Sequence, residues 1–263
     1  MARIIQLSDI HFGGEDKAAT QAALRYALDD KPDIVIVSGD LTLNGLPREF
    51  EAAHDYLQQL PRPWLATPGN HDTPYLNIPL RAFVPFARYG KWIGPAFGEE
   101  ASAGDLLVRT INTARGAQPR LDWSKGAINL DLCRETVAQM ASVKGGPLRL
   151  VVCHHPLVEA VGTPVTGGVH RGDEAAMILA EGGIDAILTG HVHVPFATPL
   201  PCADRRTYAV GAGTLSTRLR GTPASFNRLC TTDDTLTVEA MGWTGSRFEP
   251  YRTWALPRRL SPN

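Results

Sequence analysis

Five short polar clusters in this chain combine side chains that bind divalent metal ions, and they hold six of its eight histidines. Each cluster directly follows a short apolar run that is typical of a β-strand. Carboxylate and amide oxygens and imidazole nitrogens suit a pair of catalytic ions, which activates water for hydrolysis. We therefore expect a two-metal hydrolytic site at the carboxyl edge of one sheet. The clusters are Asp9-Ile10-His11, Gly39-Asp40, Gly69-Asn70-His71-Asp72, His154-His155-Pro156 and Gly190-His191-Val192-His193.

The spacing within the clusters predicts which side chains converge. Asp9 and His11 lie two residues apart, and two such residues on an extended chain point the same way, so the pair could hold one ion. The Gly190 cluster repeats this spacing with two histidines. The neighbours His154 and His155 should face opposite ways, so only one of them should reach the site. Each cluster taken alone is more often a turn or a helix cap, and the prediction depends on all five together.

Two clusters suggest roles beyond simple ligation. The carboxylate of Asp40 could bridge two cations, although an aspartate after a glycine is also a common turn residue. The amide oxygen of Asn70 is a reasonable ligand for a divalent ion. His71 could then stand free of the metals as a general acid, oriented by Asp72.

Composition and charge exclude several classes of protein. The 263 residues have a formal net charge of -1, so no overall basic bias points to nucleic acid or anionic lipid as the main partner. No apolar run is long enough to cross a membrane. The four cysteines form no Cys-x-x-Cys pair, and the N-terminus lacks a signal-peptide pattern. We therefore expect reduced thiols and a cytoplasmic protein with no nucleic-acid partner. The oligomeric state stays open, a homodimer among the options.

Periodicity predicts the elements that must position the clusters. The first third alternates strands and helices, which indicates a largely parallel sheet. The segment after His193 predicts antiparallel hairpins. Strands are expected at 3–8, 33–38, 64–67, 106–112, 148–153, 184–188, 207–210, 225–231, 235–241 and 248–253, with helices at 15–30, 47–60, 78–89, 129–143 and 174–181.

The order and composition of the clusters resemble the calcineurin-like metallophosphoesterase superfamily. The resemblance implies an α/β fold, a four-layer αββα sandwich of two mixed β-sheets flanked by helices, in a single domain over residues 1–263. It also implies two divalent ions, Mn, Fe or Zn, and a small-molecule phosphoester substrate. One ion would take Asp9, His11 and His193, the other Asn70, His154 and His191, with Asp40 as the bridge and with His71 and Asp72 as catalytic residues.

Further details of the motifs suggest a branch of the superfamily. His154 is preferred to His155 as the ligand because the family's ligand sits two residues before the proline. The segment from Gly39 to Gly45 lacks the Asp-Arg pair of the protein phosphatases. The Leu-Ser-Asp-Ile-His-Phe opening resembles the class III cyclic nucleotide phosphodiesterases and the glycerophosphodiesterases. That branch implies hydrolysis of a small phosphodiester by in-line attack of a hydroxide shared by the two ions.

Alternative functions and substrate contacts also follow. The same motifs suit a phosphomonoesterase, a pyrophosphatase of nucleotide conjugates or, less well, a non-catalytic metal-binding scaffold. A nuclease is disfavoured by the missing basic stripe. His155, His170, Arg171 and Arg218 are candidate substrate-binding residues, because guanidinium groups suit phosphate and both histidines lie in or near the clusters.

Overall fold

Two six-stranded mixed β-sheets pack face to face, and helices cover their outer sides. The computed structural model describes residues 2–96, 98–119, 122–159 and 168–259. The strands are β1 (Arg3–Leu7), β2 (Ile34–Val37), β3 (Trp64–Ala66), β4 (Glu100–Ala103), β5 (Leu106–Thr110), β6 (Leu148–Val152), β7 (Ala186–Thr189), β8 (Phe196–Pro199), β9 (Tyr208–Gly211), β10 (Ser225–Thr231), β11 (Thr235–Trp243) and β12 (Phe248–Pro257). The helices are α1 (Lys17–Asp30), α2 (Pro47–Leu57), α3 (Ile78–Phe83), α4 (Ala87–Trp92), α5 (Leu130–Ser142) and α6 (Gly172–Glu181).

The first sheet has the strand order β12-β11-β10-β1-β2-β3. Strands β1, β2 and β3 run parallel, with Leu7 beside Val37 and Val37 beside Ala66. Because α1 and α2 cross between them, the carboxyl ends of these three strands lie together at one end of the sheet. Strands β10 to β12 form the predicted antiparallel hairpins.

The second sheet has the order β4-β5-β6-β7-β9-β8, and β5, β6, β7 and β9 run parallel. The prediction that residues 207–210 belong to an antiparallel hairpin region is only half right, since β9 pairs antiparallel with β8 but parallel with β7. Strands β4 and β8 were not expected from the sequence. Both are short edge strands of four residues, with exposed positions that weaken the apolar pattern.

Alternating side chains of the strands build three apolar layers. Ile36 and Leu150 point between the sheets, where they join the inner core. Val37 packs against α1 and α2 on one outer face, and Val151 packs against α5 and α6 on the other. Burial on both faces explains the continuous apolar runs in these strands. The layers therefore stack as helix, sheet, sheet, helix, and the predicted αββα sandwich is confirmed.

The predicted helix at 78–89 is two short helices instead of one. Helix α3 ends at Phe83 and α4 begins at Ala87. Pro85 lies between them, and a proline lacks the amide hydrogen that would continue the helix and clashes with the preceding turn. After the break, α4 packs against α2.

A buried polar bridge joins the two sheets beneath the polar clusters. The Gln6 side-chain amide donates to the backbone oxygen of Thr189 at 2.9 Å and to the hydroxyl of Ser38 at 3.1 Å. Asn227 donates from Nδ2 to Gln6 Oε1 at 3.0 Å and to the backbone oxygen of Gly211. Since Gln6 and Asn227 are fully buried, these hydrogen bonds hold the strand ends of both sheets in one relative position.

Among the described residues, no helix combines the length and apolar character that crossing a membrane requires.

Candidate metal centre

All five polar clusters meet at one end of the sandwich, where parallel strands of both sheets end. Three clusters follow β1, β2 and β3 of the first sheet, and two follow β6 and β7 of the second. The expectation that one sheet edge would carry all five is therefore wrong. A strand followed by a cluster is a local pattern, and it carries no information about which sheet the strand joins.

The first predicted ligand group consists of Asp9, His11 and His193, which are all buried. His193 Nε2 lies 3.1 Å from Asp9 Oδ1, and His11 Nε2 lies 3.9 Å from the same oxygen. Both histidines direct Nδ1 at a backbone oxygen, that of Thr42 for His11 and that of Arg218 for His193, at 3.2 and 2.8 Å. Their Nε2 atoms face each other at 3.3 Å. With Nδ1 protonated, two lone pairs converge there, an arrangement that a cation stabilises.

The second predicted group surrounds His154, whose Nδ1 lies 2.9 Å from the backbone oxygen of Ser38. The ring of His191 is 5.2 Å from that of His154, centre to centre. Three buried atoms of the two groups, Asp9 Oδ1, Asn70 Oδ1 and His154 Nε2, make no well-aligned hydrogen bond with the described part of the chain. Buried polar atoms are normally hydrogen-bonded. These three unpaired oxygen and nitrogen atoms are ligands that suit divalent ions of the Mn, Fe and Zn type.

Asp40 lies between the two groups. Its Oδ1 accepts a hydrogen bond from the backbone amide of His71 at 2.8 Å. Its Oδ2 lies 3.7 Å from His11 Nε2 and 3.3 Å from His154 Nε2. One oxygen thus faces a histidine from each predicted ligand group, which is the position that a bridging carboxylate requires.

Left-handed backbone conformations concentrate at the candidate ligands. Asp9 and His11 converge through such turns, and the extended conformation assumed from their spacing is not what orients them. For a residue other than glycine this conformation costs about 1–3 kcal/mol, and strain of this kind clusters at functional sites. The positive φ angles are 51° at Asp9, 51° at His11, 52° at Asp40, 69° at His191 and 59° at His193.

Glycines before the ligands allow the clusters to approach one another. A Cβ atom at Gly39, which has φ of +93°, would overlap the ring of His154. A Cβ atom at Gly190 would overlap the Ser8 hydroxyl and the Asp9 carboxylate. These close approaches leave no room for a side chain, and they explain why each of these two clusters begins with a glycine.

The electrostatic environment of the centre favours a positive ion. Although burial opposes protonation, the carboxylate of Asp40 raises the pKa of His154 to about 9. Burial lowers the pKa of His11 to about 3 and that of His191 to about 4. His11 and His191 are therefore unprotonated near neutral pH, whereas the raised pKa of His154 reflects negative charge that a divalent ion would neutralise.

His71 stands at the border of the centre, with its ring edge-on to that of His11 at 4.7 Å. Its Nδ1 lies 2.6 Å from the backbone oxygen of Leu43, and its Nε2 accepts a hydrogen bond from Arg218 Nη1 at 3.0 Å. The expectation that Asp72 orients this ring directly is wrong. The ring is oriented instead by the backbone oxygen of Leu43, which is the partner of Nδ1.

Asp72 instead joins two of the site loops. Its Oδ1 accepts from the amide and hydroxyl of Thr42 at 2.8 and 2.9 Å, and its Oδ2 accepts from the amides of Gly69 and Leu41 at 2.9 and 3.2 Å. Burial and the nearby Asp40 carboxylate raise the pKa of Asp72 to about 7, whereas the four donors favour its charged form. Asp72 is therefore a positioning residue that holds the loops after β2 and β3 together.

Replacing Asp72 by alanine should lower the free energy of unfolding by about 3 kcal/mol, because buried donors lose their charged acceptor. Urea unfolding in the presence of a chelator measures this without a contribution from bound metal. Asp131→Ala removes an exposed carboxylate paired with Arg134 and should cost less than about 1 kcal/mol. Equal stability of the two variants would contradict the positioning role.

His155 does not line the substrate cleft, and its predicted substrate contact is wrong. The residue is fully buried. Its Nδ1 lies 2.8 Å from the hydroxyl of Thr113, and its Nε2 lies 2.8 Å from the backbone oxygen of Ser124. Both ring nitrogens are thus used by the protein, although the ring lies 4.5 Å from that of His191. The expectation that His154 and His155 face opposite ways is wrong, since their ring centres are 4.7 Å apart. The contacts with Thr113 and Ser124 are what occupy His155.

Two further substrate-binding predictions are also not supported by the described structure. His170 lies in a separate cavity beside Arg115 and Gln118, on the far side of the loop that bears Gly126. Arg171 precedes α6 and pairs with Glu174 at 3.2 Å. Both belong to the surface near α6. Residues 160–167 of the predicted loop lie outside the described part.

Arg218 is brought to the site, as predicted. Its guanidinium is exposed and contacts His71, and its backbone oxygen supports His193. It lines a cleft of about 570 Å³ at the mouth of the centre together with Asn70 and His71. Tyr75, Ile78, Arg81 and Trp123 line the same cleft but were not predicted. The aromatic-rich composition after Asp72 was a signal for Tyr75, and no comparable signal was found for Trp123.

Comparison with known proteins agrees with this architecture. A probable cyclic nucleotide phosphodiesterase of Synechococcus sp. is 26% identical over 203 residues, which cover 73% of this chain and 74% of that protein. The glycerophosphodiester phosphodiesterase GpdQ of Enterobacter lignolyticus is 39% identical over 64 residues, 24% of this chain and 22% of that protein. A dimetal phosphatase from Danio rerio shares the fold with a TM-score of 0.68 at 11% identity, over 98% of this chain and 99% of that one.

The family match spans the polar clusters themselves. The calcineurin-like phosphoesterase family matches residues 2–195, which run from β1 to just beyond His193. The matched segment therefore contains every candidate ligand together with the strands that position it. This chain belongs to the calcineurin-like phosphoesterase family and is a metal-dependent phosphoester hydrolase.

Proposed function

We propose that this protein is a phosphodiesterase that hydrolyses a small phosphodiester at a centre of two divalent ions. One ion would be held by Asp9, His11 and His193, and the other by Asn70, His154 and His191, with Asp40 shared. The ions, when bound, would activate water and neutralise phosphate oxygens. Similarity to relatives named as cyclic nucleotide and glycerophosphodiester phosphodiesterases supports a diester substrate.

One observation carries the proposal. Asp40 Oδ2 faces His11 Nε2 and His154 Nε2, which belong to different ligand groups, while its Oδ1 is occupied by the amide of His71. A single metal site needs no shared oxygen between two sets of histidines. The arrangement therefore favours a pair of ions, and a pair of ions suits an in-line displacement at phosphorus.

Proton transfer and phosphate binding are assigned to two side chains of the protein. His71 directs Nδ1 at the carbonyl of Leu43, so Nε2 on the cleft side is the atom that would pass a proton to the leaving oxygen. Arg218 donates to this Nε2 and is otherwise exposed. A substrate phosphate would draw the guanidinium to itself, which would free Nε2 to take up a proton from solvent and to give that proton to the leaving group.

A substrate panel on metal-analysed protein tests the proposal. Protein loaded with Mn, Fe or Zn is assayed on cyclic nucleotides, glycerophosphodiesters, nucleotide diphosphate conjugates and phosphomonoesters. We expect about two ions per chain and the highest kcat/KM on diesters. Preference for monoesters would identify a phosphatase, and two bound ions with no turnover of any ester would identify a scaffold; either result overturns the proposal.

Replacing Arg218 by alanine should lower kcat/KM for a diester by about 10- to 150-fold, since a charge-assisted hydrogen bond to phosphate is lost. The backbone oxygen that supports His193 remains, so metal content should not change. Arg171→Ala is the matched control, because that guanidinium pairs with Glu174 away from the cleft. Equal losses in the two variants would contradict a phosphate contact.

A further inference from the structure

One wall of the cleft is aromatic and apolar, and the proposed chemistry does not use it. Tyr75, Ile78 and Trp123 line the cleft beside His71 and Arg218. Tyr75 is 55% exposed and Ile78 is 62% exposed, although both are large apolar side chains. Exposed apolar surface that adjoins a catalytic cleft commonly marks a binding site for an apolar part of the ligand.

Arg81 contacts both aromatic rings of this wall. Its guanidinium carbon lies 5.7 Å from the ring centre of Tyr75 and 5.4 Å from that of Trp123. Its Nε donates to the backbone oxygen of Gly116 at 2.9 Å, and the residue is only 5% exposed. Cation–π contacts with both rings and a buried hydrogen bond occupy the guanidinium. Arg81 is therefore a clamp between two rings, in contrast with the exposed Arg218.

The wall lies on the side of the centre where the leaving group would sit. The ring of Tyr75 is nearly parallel to that of His71, with 3° between the planes and 6.3 Å between the centres. Trp123 donates a hydrogen bond from its indole Nε1 to the backbone oxygen of Gln118 at 3.1 Å. Both aromatic side chains are thus oriented by the protein before a ligand arrives, which lowers the entropic cost of stacking.

The charge of the cleft restricts what can stack there. Asp122 lies in the same lining, and its Oδ1 accepts from the amide and hydroxyl of Ser124 at 3.0 and 2.6 Å. These hydrogen bonds lower the pKa of Asp122, so the carboxylate is ionised near neutral pH. An anionic group would be repelled at this end of the cleft, whereas an uncharged ring with an amino group could donate to it.

We propose that Tyr75, Ile78 and Trp123 form a stacking subsite for the planar, uncharged ring of a nucleobase. The substrate is then a phosphodiester that carries a nucleoside, an assignment that rests on the proposed phosphodiesterase function. Bases stack on aromatic side chains largely independently of their identity, because every base has a π face. A glycerol group has no such face and little apolar surface, so it gains nothing from this wall.

Kinetics on two diesters test the subsite. Tyr75→Leu and Trp123→Leu should each lower kcat/KM for a cyclic nucleotide by about 5- to 150-fold, the range expected for one lost base stack. The same variants should change kcat/KM for glycerophosphocholine by less than about threefold. Tyr75→Phe keeps the stacking face and should resemble the wild type. Tyr251→Leu, which replaces a tyrosine 41% exposed on β12, is the control away from the cleft.

A binding measurement separates the subsite from the catalytic proposal. Saturation-transfer NMR on zinc-loaded protein should detect adenosine, which has no phosphate, and the signal should fall in Tyr75→Leu and Trp123→Leu. Equal kinetic losses on both diesters, or no adenosine signal with the wild type, would overturn the subsite. Adenosine binding without turnover of any diester would support the subsite and overturn the proposed function.

Discussion

Replacing Asp40 by alanine is expected to remove essentially all hydrolysis, with kcat/KM for any diester lower by about 10³-fold or more. Asp40 Oδ2 faces histidines of both ligand groups, so its loss affects both proposed metal positions. Its Oδ1 also accepts from the amide of His71, and that loop would lose its anchor. Metal analysis of the purified variant should give fewer than two ions per chain.

Asp185→Ala provides the matched control for this prediction. Asp185 is a buried aspartate that accepts from the backbone amide of Arg149 at 2.8 Å, and it precedes β7 at the end opposite the polar clusters. It should lower stability but leave the metal content and the activity of the folded protein unchanged. If Asp40→Ala kept two ions and wild-type turnover, the shared-carboxylate assignment would be untenable.

Replacing His71 by alanine should separate chemistry from metal binding. We expect both ions to remain and kcat to fall by about 10²–10⁴-fold for a diester with an alkoxide leaving group, the range for loss of a general acid. The loss should be much smaller for an aryl diester such as bis(p-nitrophenyl) phosphate, because that leaving group departs without a proton. When log kcat is plotted against the pKa of the leaving group, the slope should be steeper for the variant than for the wild type.

His170→Ala is the histidine control, since that exposed ring lies in a separate cavity. It should behave like the wild type on both kinds of ester. Loss of metal in His71→Ala would show that the ring is a ligand, and equal losses on alkyl and aryl esters would show that it is no proton donor. Either outcome would remove His71 from the role that its contacts with Leu43 and Arg218 suggest.

Much of the fold could be predicted from the sequence because its signals are local. Runs such as 34–37 are apolar at every position, since one face meets the other sheet and the other meets helices. Helix starts were also readable, as at Pro47, where α2 begins as predicted. The edge strands β4 and β8 were missed because half-exposed segments of four residues lack such a pattern.

Within the site, the sequence indicated the ligand types but not all of their partners. The cluster at His154 illustrates the limit, because the rings of the two adjacent histidines lie 4.7 Å apart and differ in their partners. Thr113 and Ser124 come from a distant segment to occupy His155. Asp72 was placed beside His71 because they are neighbours in the chain. Its carboxylate instead turns to the loop after β2, where several amides converge.

By itself, the amino-acid sequence determined that short buried strands are followed by oxygen and nitrogen ligands, because both features depend on residues that are neighbours in the chain. Only the tertiary structure decided that three such ends come from one sheet and two from the other, and that Asp40 lies between them. The aromatic wall depends even more on long-range packing, since Arg81 contacts both Tyr75 and Trp123, which are distant in the chain. Contacts between distant segments are set by how the layers stack, and no spacing along the chain encodes that.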